Sequence, residues 1–307
     1  VADKRVKPSS RIHRGLTGSR ELVGQAYLAD PELRHEYEAE IAPRTAAALQ
    51  QVWSAVALPE PRRVLDLGAG TGSAGRAVLQ HWPGVELVSV DKVAGPGVIR
   101  ADLARSIRPP GVEGRFDWIV AAHLINELPL DLDGKLRLVR GWCRDLMTED
   151  GACVLIEPAL RETSRGLLAL RDQLIAAGYF VVAPCLLQAP CPALARERDF
   201  CHASAGSIAQ GRSRVDFSYL VVRRSGQACD DKDLFRVVSD PMKDKGRLRL
   251  FACGPAGRLL VTRLDRDRSA ANEAFDHLVR GDVARLRDAE MRGDGLRCTE
   301  ATKVDRP

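Results

Sequence analysis

Val64-Leu65-Asp66-Leu67-Gly68-Ala69-Gly70-Thr71-Gly72 is an apolar strand pattern that runs into glycine at every second position and then into a helix-forming stretch. Glycine accepts positive φ and lets a ligand approach where a Cβ would collide. Strand, glycine turn and helix together build a binding edge at the carboxyl end of a parallel strand. Gly70-Thr71-Gly72-Ser73-Ala74-Gly75 satisfies the dinucleotide fingerprint, and Asp91 stands about twenty residues on, where a ribose-binding acid is expected. Asp66-Leu67-Gly68 adds an acid at the strand end and a third alternating glycine. That suits an aminoacyl ligand with an ammonium group better than a pyrophosphate.

The stretch resembles the first motif of class I S-adenosylmethionine (SAM) dependent methyltransferases, which favours SAM over a nicotinamide or flavin dinucleotide and over a purely structural glycine turn. Outward from it, short apolar strands alternate with helical stretches from Arg63 to about Val222, the pattern of a doubly wound, mostly parallel α/β sheet. Ligands of such sheets sit outside the carboxyl ends of the strands. Asp66, Gly68, Gly70, Gly72, Asp91 and Asp102 are therefore expected on one crevice, with Asp91 on the ribose hydroxyls and Asp102 where this class places its adenine-contacting acid.

The stretch Asp117 to Pro129 would face the methyl group. It offers His123, Asn126 and Glu127 as polar groups, His123 being a base near neutral pH. Helix caps account for Asn126 and Glu127 equally well. No Asn/Asp-Pro-Pro-aromatic tetrapeptide is present to hold an exocyclic amine.

The 307 residues, 45% hydrophobic, allow one substantial core plus appendages. No apolar run approaches the roughly 20 residues needed to span a bilayer, and the polar start lacks the apolar core of a secretory signal. The expectation is a monomer in the cytoplasm of a bacterium or in the mitochondrial matrix of a eukaryote, with no membrane partner. Net charge is +5, and from Cys201 to Pro307 there are 21 Lys and Arg against 16 Asp and Glu, a surplus equal to that of the whole chain. Polyanion binding is consistent with that bias.

Eight cysteines without an export signal point to metal or redox chemistry rather than to disulfides. Cys143 and Cys153 sit in apolar surroundings, and Cys229 and Cys298 in polar segments. Cys185, Cys191, Cys201 and Cys253 remain, and Pro184, Pro190, Pro192, Gly254 and Pro255 around them break regular structure and leave loops free to converge. Four thiolates suit tetrahedral zinc or an iron–sulfur cluster. The close-spaced paired knuckles of zinc ribbons are absent, and from spacing alone zinc, cluster and buried free thiols all stay open.

Ile156-Glu157-Pro158, Arg171, Ala183-Pro184-Cys185, Cys191-Pro192, Phe200-Cys201-His202 and Phe217-Ser218-Tyr219-Leu220 together resemble the methyltransferase-like proteins associated with the mitochondrial small ribosomal subunit and their bacterial relatives. The resemblance implies a class I methyltransferase fold, a four-iron four-sulfur cluster on Cys185, Cys191, Cys201 and Cys253, and work on small-subunit rRNA or on the assembly of the small ribosomal subunit. Methyl transfer to rRNA, a non-catalytic RNA-binding assembly role, and a zinc-stabilised small-molecule methyltransferase are the readings carried forward. The expected layout is an N-terminal helical segment over 1–60, a methyltransferase-like domain over 61–228 with a cysteine-rich loop at 183–202, a small β unit over 229–266 with arginines on its outward face, and a helical tail over 267–307.

Overall fold

The computed structural model describes residues 10–93, 95–206 and 214–307. Eight strands form the first sheet: β1 (Arg63–Leu67), β2 (Glu86–Asp91), β3 (Val98–Arg100), β4 (Phe116–Ala122), β5 (Met147–Pro158), β6 (Phe180–Ala183), β7 (Ala203–Ala205) and β8 (Val215–Arg223). Their order is β3-β2-β1-β4-β5-β8-β6, with β7 paired to β8 off that path. The strands from β3 to β5 pair in parallel, while β8 runs antiparallel between β5 and β6. A parallel sheet with one reversed strand inserted near its edge is the class I SAM-dependent methyltransferase fold, as the glycine stretch leads one to expect. The chain order reverses between β1 and β4, so a crevice opens at their carboxyl ends.

β1 buries Val64, Leu65, Asp66 and Leu67 in succession, as a strand covered on both faces must. Two apolar layers flank the sheet, one containing Leu65, Ile119, Trp142 and Leu155, the other Val64, Val120, Val154 and Tyr219. The helices are α1 (Arg11–His13), α2 (Pro31–Glu40), α3 (Ala42–Ala55), α4 (Ser73–His81), α5 (Leu132–Gly141) and α6 (Arg161–Ala176). Asp30 caps α2 by accepting from the Glu32 and Leu33 amides at 2.9 and 3.3 Å, with Pro31 at the first helical position. α3 buries Thr45, Ala48, Leu49, Val52 and Trp53, a helical stripe against the sheet. The expected N-terminal helical segment is therefore present from residue 10 onward. None of the described helices is long and apolar enough to cross a membrane.

The carboxyl-terminal third differs from expectation. A second sheet is built from β9 (Leu234–Val237), β10 (Met242–Asp244), β11 (Arg247–Gly254), β12 (Gly257–Leu264), β13 (Val283–Arg287), β14 (Glu290–Arg292), β15 (Gly295–Cys298) and β16 (Lys303–Asp305). Its order is β14-β15-β12-β11-β9-β13-β16, with β10 on β11. There is no boundary at 266/267 and no helical tail: the helical stretches there are two 3₁₀ segments, Asp265–Asp267 across the expected boundary and Ala270–His277, and 283–305 supplies four strands. Val283 to Met291 is rich in good helix formers, which is why it reads as a helix. Alternation decides otherwise, because Ala284 and Leu286 point into a core with Phe235 and Phe275 while Arg285 and Arg287 point out. Pairing with β9 and β16 then satisfies the backbone.

Candidate active site and metal centre

Gly68, Gly70 and Gly72 take φ of 75°, 54° and 80°, so the loop depends on glycine at all three alternating positions. The Gly68 and Ala69 amides donate to the Val90 carbonyl at 2.8 and 3.1 Å, which pins the turn across the end of β2. A crevice of about 330 Å³ results, lined by Gly68, Gly70, Asp91, Asp102, His123 and Glu127 among others. Asp91 accepts from the Gly70 amide (2.9 Å) and the Val93 amide (2.8 Å), which fixes its carboxylate at the rim. Asp102 accepts from the Ala104 amide at 3.0 Å.

Two expected cofactor contacts fall elsewhere. Asp66 is only 1% exposed and is not part of the crevice lining. Its Oδ2 accepts from the Gly75 amide at 3.1 Å, so it holds the first turn of α4 under the glycine loop rather than reaching a ligand ammonium. Burial pushes its carboxyl up to about 7 against the opposing Gly75 hydrogen bond. Gly72 faces the outer side of the loop, in a groove with Arg76 and Leu87.

The N-terminal segment closes the crevice. Gly24 to Leu28 and Tyr37 contribute to its wall, and Lys92 Nζ donates to the Gly24 and Gln25 carbonyls at 3.1 and 3.3 Å, tying that segment to the end of β2. The Tyr27 hydroxyl donates to Glu127 Oε1 at 3.1 Å. Tyr27 and Tyr37 were not legible as site residues, because nothing local links a helical N-terminal arm to a strand end a hundred residues away.

His123 sits at φ 60°, in the left-handed region unusual for a non-glycine residue. Its amide donates to the Ile156 carbonyl at 2.7 Å, which turns the ring toward the crevice. Nδ1 is sealed from solvent and has no hydrogen-bond partner among the described residues. Burial lowers the imidazole to about 4, so the ring is neutral at physiological pH. Asn126 Nδ2 donates to the His123 carbonyl at 3.1 Å, and Arg20 reaches Asn126 Oδ1 at 3.4 Å. Beneath this turn lies Glu157, 1% exposed. Its Oε1 accepts from the Asn126 amide at 3.3 Å, while its Oε2 is sealed without a partner. Burial raises that carboxyl to about 8.

The second site is built from three separate stretches. Cys185 follows β6, Cys191 precedes the turn Pro192–Ala195, Cys201 stands just before β7, and Cys253 lies on β11. All four line one small, mainly apolar cavity between the two sheets, with Leu168, Pro184, Phe200 and Val238. Burial raises the Cys185 and Cys191 thiols, and it raises Cys201 and Cys253 to about 12, their mutual repulsion adding to the effect. Arg236 and Arg258 also line the cavity. Register explains this: Cys253 pairs with Arg236 of β9 and with Arg258 of β12, and directly opposed residues share a sheet face.

α6 holds the cysteine loop by its carbonyls. Arg171, 1% exposed, donates to Leu187 and Ala189. Asp172 accepts the Cys191 amide at 2.9 Å, and Arg165 donates to Ala193, Arg196 and Asp199 at 3.2, 2.8 and 2.7 Å. The loop is joined to the second sheet by Arg258, which pairs with Asp199 at 2.8 Å and lies over the Phe251 ring at 4.8 Å. Among the described residues no three His, Cys, Asp or Glu side chains close on a single ion-sized centre; the four thiols surround a cavity instead.

The outward arginine face expected on the small β unit is largely neutralised. Arg247 and Arg249 share Asp244, and Arg258 turns inward to Asp199. Arg263 is 3% exposed and donates to Asn272 and Asp276 inside the core. Arg214 pairs with Asp216 and Asp240, each at 2.8 Å, and Arg212 lies outside the described residues.

The family described as mitochondrial small ribosomal subunit Rsm22 matches residues 31–276. Trans-aconitate 2-methyltransferase of Rhodopseudomonas palustris (strain BisA53) is 32% identical over 91 residues, an overlap of 26% of this chain and 34% of that protein. Among solved structures, the mitomycin 7-O-methyltransferase MmcR aligns over 67% of this chain and 60% of its own, at 17% identity and TM-score 0.39. The plantazolicin methyltransferase BamL, solved with a triazolic substrate analogue and SAH, aligns over 66% of this chain and 94% of its own, at 11% identity and TM-score 0.44.

Proposed function

The chain belongs to the family of the mitochondrial small ribosomal subunit Rsm22, and on that footing we propose that it binds SAM in the crevice, carries a four-iron four-sulfur cluster on Cys185, Cys191, Cys201 and Cys253, and methylates small-subunit rRNA during assembly of the small ribosomal subunit. The observation that carries the reading is the convergence of three loop cysteines and Cys253 of the second sheet on one cavity, which shares no lining residue with the glycine-loop crevice. The residues fit both groups. Gly68 and Gly70 leave the crevice wall without a Cβ, and Asp91 and Asp102 stand on its lining for hydroxyl and amino groups. Soft sulfur donors around a cavity suit a multi-atom cluster better than a single zinc ion. Arg171, Arg236 and Arg258 offset the negative charge of a cluster on four thiolates.

When bound, SAM supplies an electrophilic methyl group on a sulfonium. The chain's part is to hold the donor under Tyr27 and Tyr37 and to present the neutral His123 and the Glu127 carboxylate at the far wall. Of the two, Glu127 would be the stronger acceptor for the proton that an acceptor nitrogen or oxygen must release, because burial lowers His123 to about 4.

The test combines two measurements on the full chain purified without oxygen. Iron content and visible absorbance report the cluster. Transfer of labelled methyl from SAM into small subunits isolated from cells lacking the protein reports the reaction. Label in rRNA and about four irons per chain are expected. Subunit binding without label would leave the assembly-factor reading, and a colourless protein with one zinc would replace the cluster. Failure to bind small subunits at all would overturn the ribosomal assignment.

A further inference from the structure

A second cavity of about 300 Å³ adjoins the crevice and has no role in the reading above. The two spaces share Tyr27, Tyr37, His123 and Glu127 as lining residues, so only side chains part them. Its remaining walls come from three places in the fold: the N-terminal segment (Leu16, Val23, Ile41), the turn after β5 (Pro158 to Leu160), and the start of β8 (Val215, Phe217).

Three features describe what this space accepts. Its volume lies at the small end of ligand pockets, enough for one ring system and its substituent. Its faces are flat and apolar: the Tyr27 and Tyr37 rings lie 6.3 Å apart, tilted by 32°, and the Phe217 ring lies on the β8 side. Of its polar groups, His123, Asn126 and Glu127 stand together on one turn at the crevice side, while His13, Thr17, Arg44, Arg214 and Asp216 line it elsewhere. A flexible charged chain would lose its solvation against these apolar walls. A flat ring with hydrogen-bonding groups along one edge keeps its stacking on these walls and meets the polar turn His123 to Glu127.

Resting on the proposed SAM-dependent reading, we infer that this cavity is the acceptor site and that it takes one unstacked nucleobase, its polar edge against His123 and its faces between the aromatic walls. The base reaches it either as a free nucleotide or as a nucleotide turned out of an RNA strand. Arg44 and Arg214 contribute to the lining together with Asp216, which pairs with Arg214. A base inside a duplex would have to leave its stack and its pairing partner to enter.

The experiment uses the full chain saturated with S-adenosylhomocysteine and, as probes, AMP, CMP, GMP and UMP separately and a mixed-sequence single-stranded RNA heptamer, read by calorimetry. Leu160→Trp fills the cavity from the β5 side and Val23→Trp from the N-terminal side, and neither residue touches the crevice. At least one probe binds the wild type and loses at least tenfold in affinity in both variants, while S-adenosylhomocysteine affinity stays within about twofold. His123→Asn, which tolerates the left-handed backbone, reduces the discrimination among the four bases. Binding of a mononucleotide identifies a free nucleotide as acceptor, and binding of the heptamer alone identifies a strand. Equal probe affinity in wild type and both filled variants, or no probe binding while S-adenosylhomocysteine binds, overturns the assignment of this cavity. Failure of S-adenosylhomocysteine itself to bind strikes the SAM reading instead.

Discussion

Glu157→Gln isolates one buried carboxyl whose cost depends on pH. The side chain is 1% exposed, one oxygen accepts from the Asn126 amide, and the other is sealed without a partner. Burial raises its pKa from an ordinary 4.5 to about 8. A raised pKa means that the folded state holds the proton more tightly than the unfolded state. The corresponding stability is complete below pH 4.5 and is lost as pH rises through about 8. At about 1.4 kcal/mol per pH unit, that loss is on the order of 5 kcal/mol.

Glutamine is neutral at every pH, keeps an oxygen for the Asn126 amide and matches the protonated acid in shape. The variant is therefore within about 1 kcal/mol of wild type at pH 5 and several kcal/mol more stable at pH 9. Asp66, raised to about 7, titrates in both proteins and cancels in the comparison. Urea unfolding followed by circular dichroism at pH 5, 7 and 9 measures it. A stability difference between the two proteins that stays the same from pH 5 to pH 9 would refute the reasoning, because it would place the wild-type carboxylate in contact with solvent.

Gly70→Val forces a branched residue to φ 54° with its Cβ 3.3 Å from Leu28 Cδ1; SAM affinity should fall at least tenfold by calorimetry, and an unchanged affinity would place the ligand elsewhere. Cys253→Ser should remove iron and colour and loosen the second sheet from the cysteine loop, since Cys253 alone of the four lies beyond β8; limited proteolysis between the two sheets reports the loosening, and resistance equal to wild type would confine the site to a local role. Arg263→Met leaves Asp276 and Asn272 without their buried partner and should cost on the order of 3 kcal/mol in urea unfolding; a loss under about 0.5 kcal/mol would mean that Arg263 is not the core residue described. RNA affinity should fall steeply with salt, with Lys243→Glu and Lys245→Glu acting more strongly than reversal of Arg247 and Arg249, because Asp244 already neutralises that arginine pair. The reverse ranking in a filter-binding assay would return the contact to the arginines.

The sequence by itself determined the glycine loop, the alternation of strand and helix around it, and the four cysteines with the prolines and glycines that break the chain around most of them. Each is a local pattern: positive φ demands glycine within a few residues, side-chain alternation has a period set by the strand, and proline stops regular structure where it stands. The tertiary structure decided what local patterns do not carry. Asp66 has the position of a ligand contact in the sequence and is instead buried under its own loop, because the first turn of α4 offers it the Gly75 amide. Val283 to Met291 has helical composition, yet Ala284 and Leu286 find a core, and their strand a pairing partner, only if it is extended. The arginines of the second sheet look like a phosphate surface until their aspartates, up to about sixty residues distant, are placed beside them. The cavity beside the crevice is assembled from residues between 13 and 217 that share no pattern in the chain. Proximity between such distant residues is a product of how layers pack. It is encoded in the sum of many burial contacts rather than in any one stretch, so it becomes readable only once the sheet is closed over by its helices.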